Sequence, residues 1–226
     1  MMTTLLLTYF GPFEGVPVNP SQAVAMGAQE ALAVSAPDLT VEVEELPVEF
    51  AESSRVLGEL LERFTPQLAI SLGVAAGRDK VGLERVATNL DSARIPDNAG
   101  VQLLDQPIRR QGPEAYFATL PTRAIFEQLI SQKLPVELSY TAGTFVCNHV
   151  FYELMHATAG AIPAGFIHIP LTRAEAGEDA DATAGRPQVI ASADAGGVEG
   201  GNLPTLPEAQ VIGIIEQAVL TTLAQL

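Results

Sequence analysis

The chain has 226 residues, 47% of them apolar and 17% charged, with a formal net charge of −15. That length can bury a full-sized core in one domain or two small ones. With 12 basic residues against 27 acidic ones and no basic run, the charge balance excludes nucleic acid and anionic membranes as natural partners.

The opening "MMTTLLLTYFGPF" has no basic region before its short apolar run, so it does not read as a signal peptide. No uninterrupted apolar run reaches the length of a membrane span. One cysteine and no export signal predict a reducing, cytoplasmic home. No Ser/Gly linker or internal repeat divides the chain, which predicts a single domain over residues 1–226.

In chain order, "TLLLTYF" (Thr4 to Phe10) predicts a buried strand. Asn19-Pro20-Ser21 opens a helix, with Asn as cap and Pro at the first helical position. "VEVEELP" (Val41 to Pro47) alternates apolar and acidic residues, as an edge strand does. A helix follows over Glu49 to Phe64, with Val56, Leu60 and Phe64 on one face, and Thr65-Pro66 ends it. "LAISLGV" (Leu68 to Val74) predicts a second buried strand. "ERVATNL" and "GVQLLD" flank the turn "PDNAG" and predict a hairpin or a pair of short strands. A helix from about Pro121 to Gln132 precedes the strand "VELSY". Next come the helix carrying Cys147, the strand "GFIHIP", and a long last helix opened by Pro207.

Strands alternating with helices predict a three-layer α/β/α sandwich around a largely parallel, mixed sheet. Ligands of such folds sit beyond the carboxyl ends of the strands. Residues 171–204, rich in Ala, Gly and Asp, have no clear period and read as a mobile loop. Their acidic cluster fails the EF-hand pattern, so calcium is not expected.

The lone cysteine stands in "SYTAGTFVCNHVFY", just past a Thr-Ala-Gly turn and at the start of an apolar helix. A lone thiol is either a small buried hydrophobe or a reagent. A nucleophilic thiol needs a base in reach, for which histidine is the usual choice. The chain has three histidines. At about 100° per residue, His149 points away from Cys147, and His156 lies about half a turn round and roughly 13 Å up the axis. Both are expected to be solvated or locally hydrogen-bonded. His168, in the apolar strand "GFIHIP", is the histidine left to face the thiol. A helix N-terminus and a nearby imidazolium both favour the thiolate. The acid that orients the imidazole cannot be chosen by spacing among Glu84, Asp91 and Asp97. Phosphate-loop, dinucleotide, Gly-x-Ser-x-Gly and zincin motifs are absent. No metal or cofactor is expected.

Four blocks, "TYFGPFEGVPVNPS", "SLGVAAGRDKVGLERVATNLDSARIPDNAG", "SYTAGTFVCNHVFYELM" and "GFIHIP", are collinear over nearly the whole chain to about Pro170. In them the chain resembles the pyrrolidone carboxyl peptidase (pyroglutamyl peptidase I) family of cysteine peptidases. The resemblance implies Cys147 as nucleophile, His168 as base and Glu84 as acid, with Arg94 supporting the oxyanion. It implies a lactam pocket of Phe10, Phe13, Ile95, Phe145 and Val146, with backbone groups at Val74 meeting the ring. It also implies removal of N-terminal pyroglutamyl residues from peptides, and a homotetramer. This chain departs from the family pattern at Tyr9, Gly11, Val74 and Ala76, which bears on binding strength and leaves the triad intact.

Overall fold

The structure is a computed structural model that describes residues 3–13, 18–173 and 203–226. Strand β1 (Thr3–Phe10) leads to helix α1 (Pro20–Ser35), whose cap is Asn19 with Pro20 in the first turn. The Asn19 side chain accepts from the Ser21 N–H, replacing a helical partner that the first turn lacks. Strand β2 (Leu39–Leu46) and helix α2 (Phe50–Phe64) follow, and α2 stops at Thr65 in the left-handed region. Its buried stripe is Phe50, Ser53, Leu57 and Leu60, with Val56 and Phe64 only half-buried. The expected face was therefore about one residue out, because α2 also packs on α4 and not on the sheet alone.

Strands β3 (Leu68–Val74) and β4 (Val81–Glu84) come next, then the short β5 (Val86–Thr88) and β6 (Ala115–Phe117). The expected hairpin is rearranged. Val86–Thr88 pairs antiparallel with Ala115–Phe117, while the turn region closes on itself through an Asp91–Gln106 bridge. The chain continues as α3 (Thr122–Ser131), β7 (Val136–Ser139), α4 (Val146–Thr158) and β8 (Ala164–Ile169). It ends with β9 (Leu171–Arg173), β10 (Thr205–Pro207) and α5 (Glu208–Leu223). The remainder of the loop expected at 171–204 lies outside the described residues between 174 and 202.

The main sheet has six strands in the order β2-β1-β3-β8-β4-β7. It is parallel except where β4 meets β8. The acidic strand β2 is at an edge, as its alternation requires. Strand alternation splits the core in two. Leu5, Leu7, Ile70, Leu72, Val81, Leu83, Ile167 and Ile169 pack with α1, α3 and α5 on one face. Leu6, Phe10, Ala69, Ala164 and Phe166 pack with α2 and α4 on the other. This is the α/β/α sandwich that the alternating elements predict. Among the described residues no helix is long and apolar enough to cross a membrane.

Candidate active site

The site lies on the α2/α4 face, at the end of β8. His168 is paired with Gly73 of β3 on one side and Gly82 of β4 on the other. Paired residues share a face of the sheet, so the two glycines leave the space beside the imidazole unfilled. A Cβ on Gly73 would stand 3.0 Å from Cys147 Sγ and 2.7 Å from the ring of Phe166. A Cβ on Gly82 would stand 2.5 Å from the Arg78 guanidinium and 3.5 Å from Glu84 Oε1. The sulfur and the Phe166 ring therefore share the gap on one flank of His168, and the Arg78 guanidinium and the Glu84 carboxylate share the gap on the other. Adjacent strands lie about 4.8 Å apart, which brings thiol, imidazole and carboxylate into one row across the sheet.

Glu84 is completely buried and His168 nearly so. Glu84 Oε1 accepts from His168 Nδ1 at 2.8 Å, which leaves Nε2 for the thiol. The same oxygen accepts from Arg78 Nη1 at 2.8 Å. Burial pushes the Glu84 carboxyl upward, but the hydrogen bond and charge of His168, the Ser139 hydroxyl and the Arg78 charge together hold it below its ordinary range. The acid is thus kept as carboxylate, able to fix the tautomer and orientation of the imidazole. The Phe166 ring lies 4.8 Å from the His168 ring and limits its rotation.

Cys147 is the second residue of α4 and is half-buried. The turn before it needs Gly143, whose φ of +78° suits glycine alone at little cost. The start of α4 is locked by its neighbour Asn148. Its Oδ1 accepts from the Thr88 N–H at 3.0 Å, and its Nδ2 donates to the Thr88 and Leu90 carbonyls. First-turn N–H groups have no carbonyl four residues back, and the helix dipole adds to their attraction for an anion.

A cleft of about 250 Å³ adjoins this point, lined by Phe13, Val48, Ile95, Pro96, Asp97, Asn98 and Phe145. Three pocket residues expected from the sequence, Phe13, Ile95 and Phe145, line it. Phe10 and Val146 are core residues of the same face, and the Phe10 ring packs 6.3 Å from that of Phe166. The Val74 side chain packs on the opposite face of the sheet, so only its backbone can serve the site. Arg94 is exposed and directly precedes the cleft residue Ile95. Asp97 does not compete for the imidazole. Its oxygens accept from the N–H groups of Phe50, Ala99 and Val101 and shape the loop.

Residues absent from the sequence reading are Arg78, Gly73, Gly82, Asn148 and the cleft members Val48, Pro96 and Asn98. Gly73, Gly82 and Asn148 act through neighbours distant in sequence, and Arg78 through Glu84 across a turn. His149 also departs from expectation: it is buried, its Nδ1 meets Asp91 Oδ2 at 2.8 Å and its Nε2 meets Ser54 Oγ at 2.7 Å. It is neither solvated nor locally bonded, because a helical wheel describes only its own helix. His156 is held by Tyr116 at 2.7 Å. Among the described residues no group of His, Cys, Asp and Glu could hold a metal.

A thiol at a helix start, an imidazole at the end of a central strand and a buried carboxylate behind it are the parts of a cysteine-type hydrolase on an α/β sheet. Comparison with known proteins narrows the class. Residues 3–199 match the family model described as pyroglutamyl peptidase, so the chain belongs to the pyroglutamyl peptidase family. It is 51% identical over 168 residues to the pyrrolidone-carboxylate peptidase of Gloeobacter violaceus, covering 74% of this chain and 80% of that one. It is 41% identical over 201 residues to that of Bacillus cereus, covering 88% and 90%. The crystal structure of Bacillus amyloliquefaciens pyroglutamyl peptidase I superposes with a TM-score of 0.81 at 35% identity, over 98% of this chain and 97% of that one. A mutant pyrrolidone carboxyl peptidase of Pyrococcus furiosus superposes with a TM-score of 0.83 at 30% identity, over 99% and 100%.

Proposed function

We propose that the chain is a cysteine exopeptidase that removes N-terminal pyroglutamyl residues from peptides, with Cys147, His168 and Glu84 as its catalytic residues. The observation that carries this reading is the row of thiol, imidazole and carboxylate beside a small cleft with aromatic and aliphatic walls. Pyroglutamate is a flat, neutral lactam. The cleft is small, at about 250 Å³, which suits a single ring of this kind. Phe13 and Phe145 offer apolar faces for it, with Ile95 completing the wall. Backbone groups at the end of β3, near Val74, pair with the lactam N–H and C=O.

The Cys147 thiolate attacks the pyroglutamyl carbonyl, and the negative charge moves onto its oxygen. N–H groups at the start of α4, including that of Cys147, hold this oxyanion, with Arg94 in support. His168 gives its Nε2 proton to the leaving amine as the C–N bond breaks, leaving a thioester. It then takes a proton from water, which attacks the thioester. The thiolate leaves, restoring its ion pair with His168, and pyroglutamate is released. Glu84 stabilises the imidazolium in both steps. No step calls on a metal or cofactor.

The same reading implies work in a reducing compartment, the cytoplasm, where a thiolate persists. A homotetramer is inferred from the family resemblance and is tested by light scattering. The decisive test of activity is hydrolysis of pyroglutamyl-coumarylamide beside the Glu, Gln, Pro and Ala analogues, with reductant. Cleavage of the pyroglutamyl substrate alone, lost in Cys147→Ala, is expected. Cleavage of another analogue in preference would reassign the cleft, and activity in Cys147→Ala would remove the nucleophile.

A further inference from the structure

His149 is a buried imidazole that the proposed chemistry does not use. It sits two residues after Cys147 on α4, and it joins three separate parts of the chain. Its Nδ1 donates to Asp91 Oδ2, and in the neutral ring its Nε2 then accepts from the Ser54 hydroxyl of α2. Asp91 is 2% exposed, and its other oxygen, Oδ1, accepts no hydrogen bond from the described residues. Its carboxylate therefore depends on His149. The Phe50 ring meets both the His149 ring, at 5.5 Å, and the Phe145 ring, at 5.4 Å, each edge to face.

A Ser-His-Asp arrangement invites comparison with a second nucleophile, but Ser54 lies inside α2 and its hydroxyl also reaches the Phe50 carbonyl four residues back. The residues that Asp91 leads into give the arrangement another use. The Ser92 N–H donates to the Thr144 carbonyl at 2.9 Å, and the Thr144 hydroxyl donates to the Ser92 carbonyl at 2.7 Å. Three residues beyond Ser92 the chain reaches Ile95, a wall of the cleft, while Thr144 immediately precedes Phe145, another wall. The segment from Asp91 to Ile95 is thus pinned to the start of α4 at two levels, by the two hydrogen bonds between Ser92 and Thr144 and by the imidazole of His149.

We propose that His149 is a positioning residue that sets the width of the substrate cleft, by clamping Asp91 so that Ile95 stands at a fixed distance from Phe145. The inference rests on the pyroglutamyl reading of that cleft. It concerns binding, since the two hydrogen bonds of His149 run to Asp91 and Ser54. Loosening the clamp lets the Ile95 wall move while leaving Cys147, His168 and Glu84 in place.

The test uses two substitutions that keep different halves of the imidazole. His149→Asn places an amide N–H near the position of Nδ1 and keeps the bond to Asp91. His149→Gln reaches toward Ser54 and gives up Asp91. For pyroglutamyl-coumarylamide, His149→Gln is expected to raise KM about 10-fold with kcat within about threefold, and the rate of Cys147 alkylation by iodoacetamide is unchanged. His149→Asn is expected to restore KM to within about threefold of wild type. A His149→Gln enzyme with wild-type KM overturns the proposal. So does a parallel fall in kcat and alkylation rate, which would place His149 in support of the thiol. If His149→Gln does not fold, Asp91→Ala carries the test: it removes the other half of the same hydrogen bond, and an unchanged KM there overturns the clamp. Failure of the wild-type chain to hydrolyse the substrate, with Cys147 still labelling, would overturn the reading of the cleft and this inference with it.

Discussion

The two faces of the central sheet are built from the same strands and do different work. Toward α1, α3 and α5 the strands present Leu5, Leu7, Ile70, Leu72, Ile167 and Ile169 in an unbroken apolar layer. Toward α2 and α4 the same central strands present Ala69, Ser71 and Gly73, then Ala164, Phe166 and His168. On β3 this face runs from Ala69 through Ser71 to Gly73, and on β8 it ends in His168, so that two glycines and a histidine lie side by side. One face is packed for stability. On the other, the missing side chains are what admit a sulfur and a carboxylate.

Substitutions on the two faces test this division. The largest effects belong to Cys147→Ala and His168→Ala, each expected to lower kcat about 10⁴-fold or more. Their double variant should lose little more, since such groups act as a unit. Single-turnover rates check this, and additive losses would separate the two residues.

Glu84→Gln comes next, at about 10²–10³-fold in kcat/KM with the fold retained. The wild-type carboxyl is held below its ordinary 4.5. Its contribution to stability should therefore be fully present above about pH 4.5 and lost as the pH falls through the lower folded value. The gap in Tm between wild type and Glu84→Gln should narrow over that acid window. A gap independent of pH would show the carboxylate to be unlinked to folding.

Gly73→Ala should cost about 10²-fold in kcat, because its new methyl displaces the thiol or Phe166 and small displacements of reacting atoms are expensive. Its neighbour Leu72 faces the other way. Leu72→Ala should cost about 2–5 kcal/mol of stability and leave kcat within a few-fold. Urea melts and kcat measured on both variants make the comparison, and matching losses would erase the distinction between the faces. Smallest is Arg78→Met, which removes one charged donor from Glu84. A loss of about 1.5–3 kcal/mol for a hydrogen bond to a charged group is an upper bound here, because the guanidinium is a quarter exposed. Activity should fall less than in Glu84→Gln.

The helices and the longer strands were legible because each rests on a local pattern, such as the Asn19-Pro20 cap or the apolar run of β3, whereas the short β4 and β6 are marked only by their pairing with other strands. His168 was also legible, since two of three histidines could be set aside from the geometry of one helix. Glu84 was not separable from Asp91 and Asp97 by spacing. Its distinction is a register, Gly82 against His168, that local sequence does not encode. The same limit hid Arg78, whose partner lies six residues away across a turn, and His149, whose partners lie 58 and 95 residues away. The shift of the α2 stripe has this origin too, since packing against α4 is a tertiary fact.

The place of β8 in the sheet has a consequence for biosynthesis. It is added late in the chain yet lies between β3 and β4, whose paired residues Gly73 and Gly82 precede His168 by about 95 and 86 residues. Until residues 164–169 have left the ribosome and inserted, the interior of the sheet stays open and His168 has no carboxylate to meet. Such long-range closure is slow compared with local pairing. A nascent or truncated chain that stops before β8 therefore carries Cys147 without His168, and the row of thiol, imidazole and carboxylate is assembled only as the last gap in the sheet is filled.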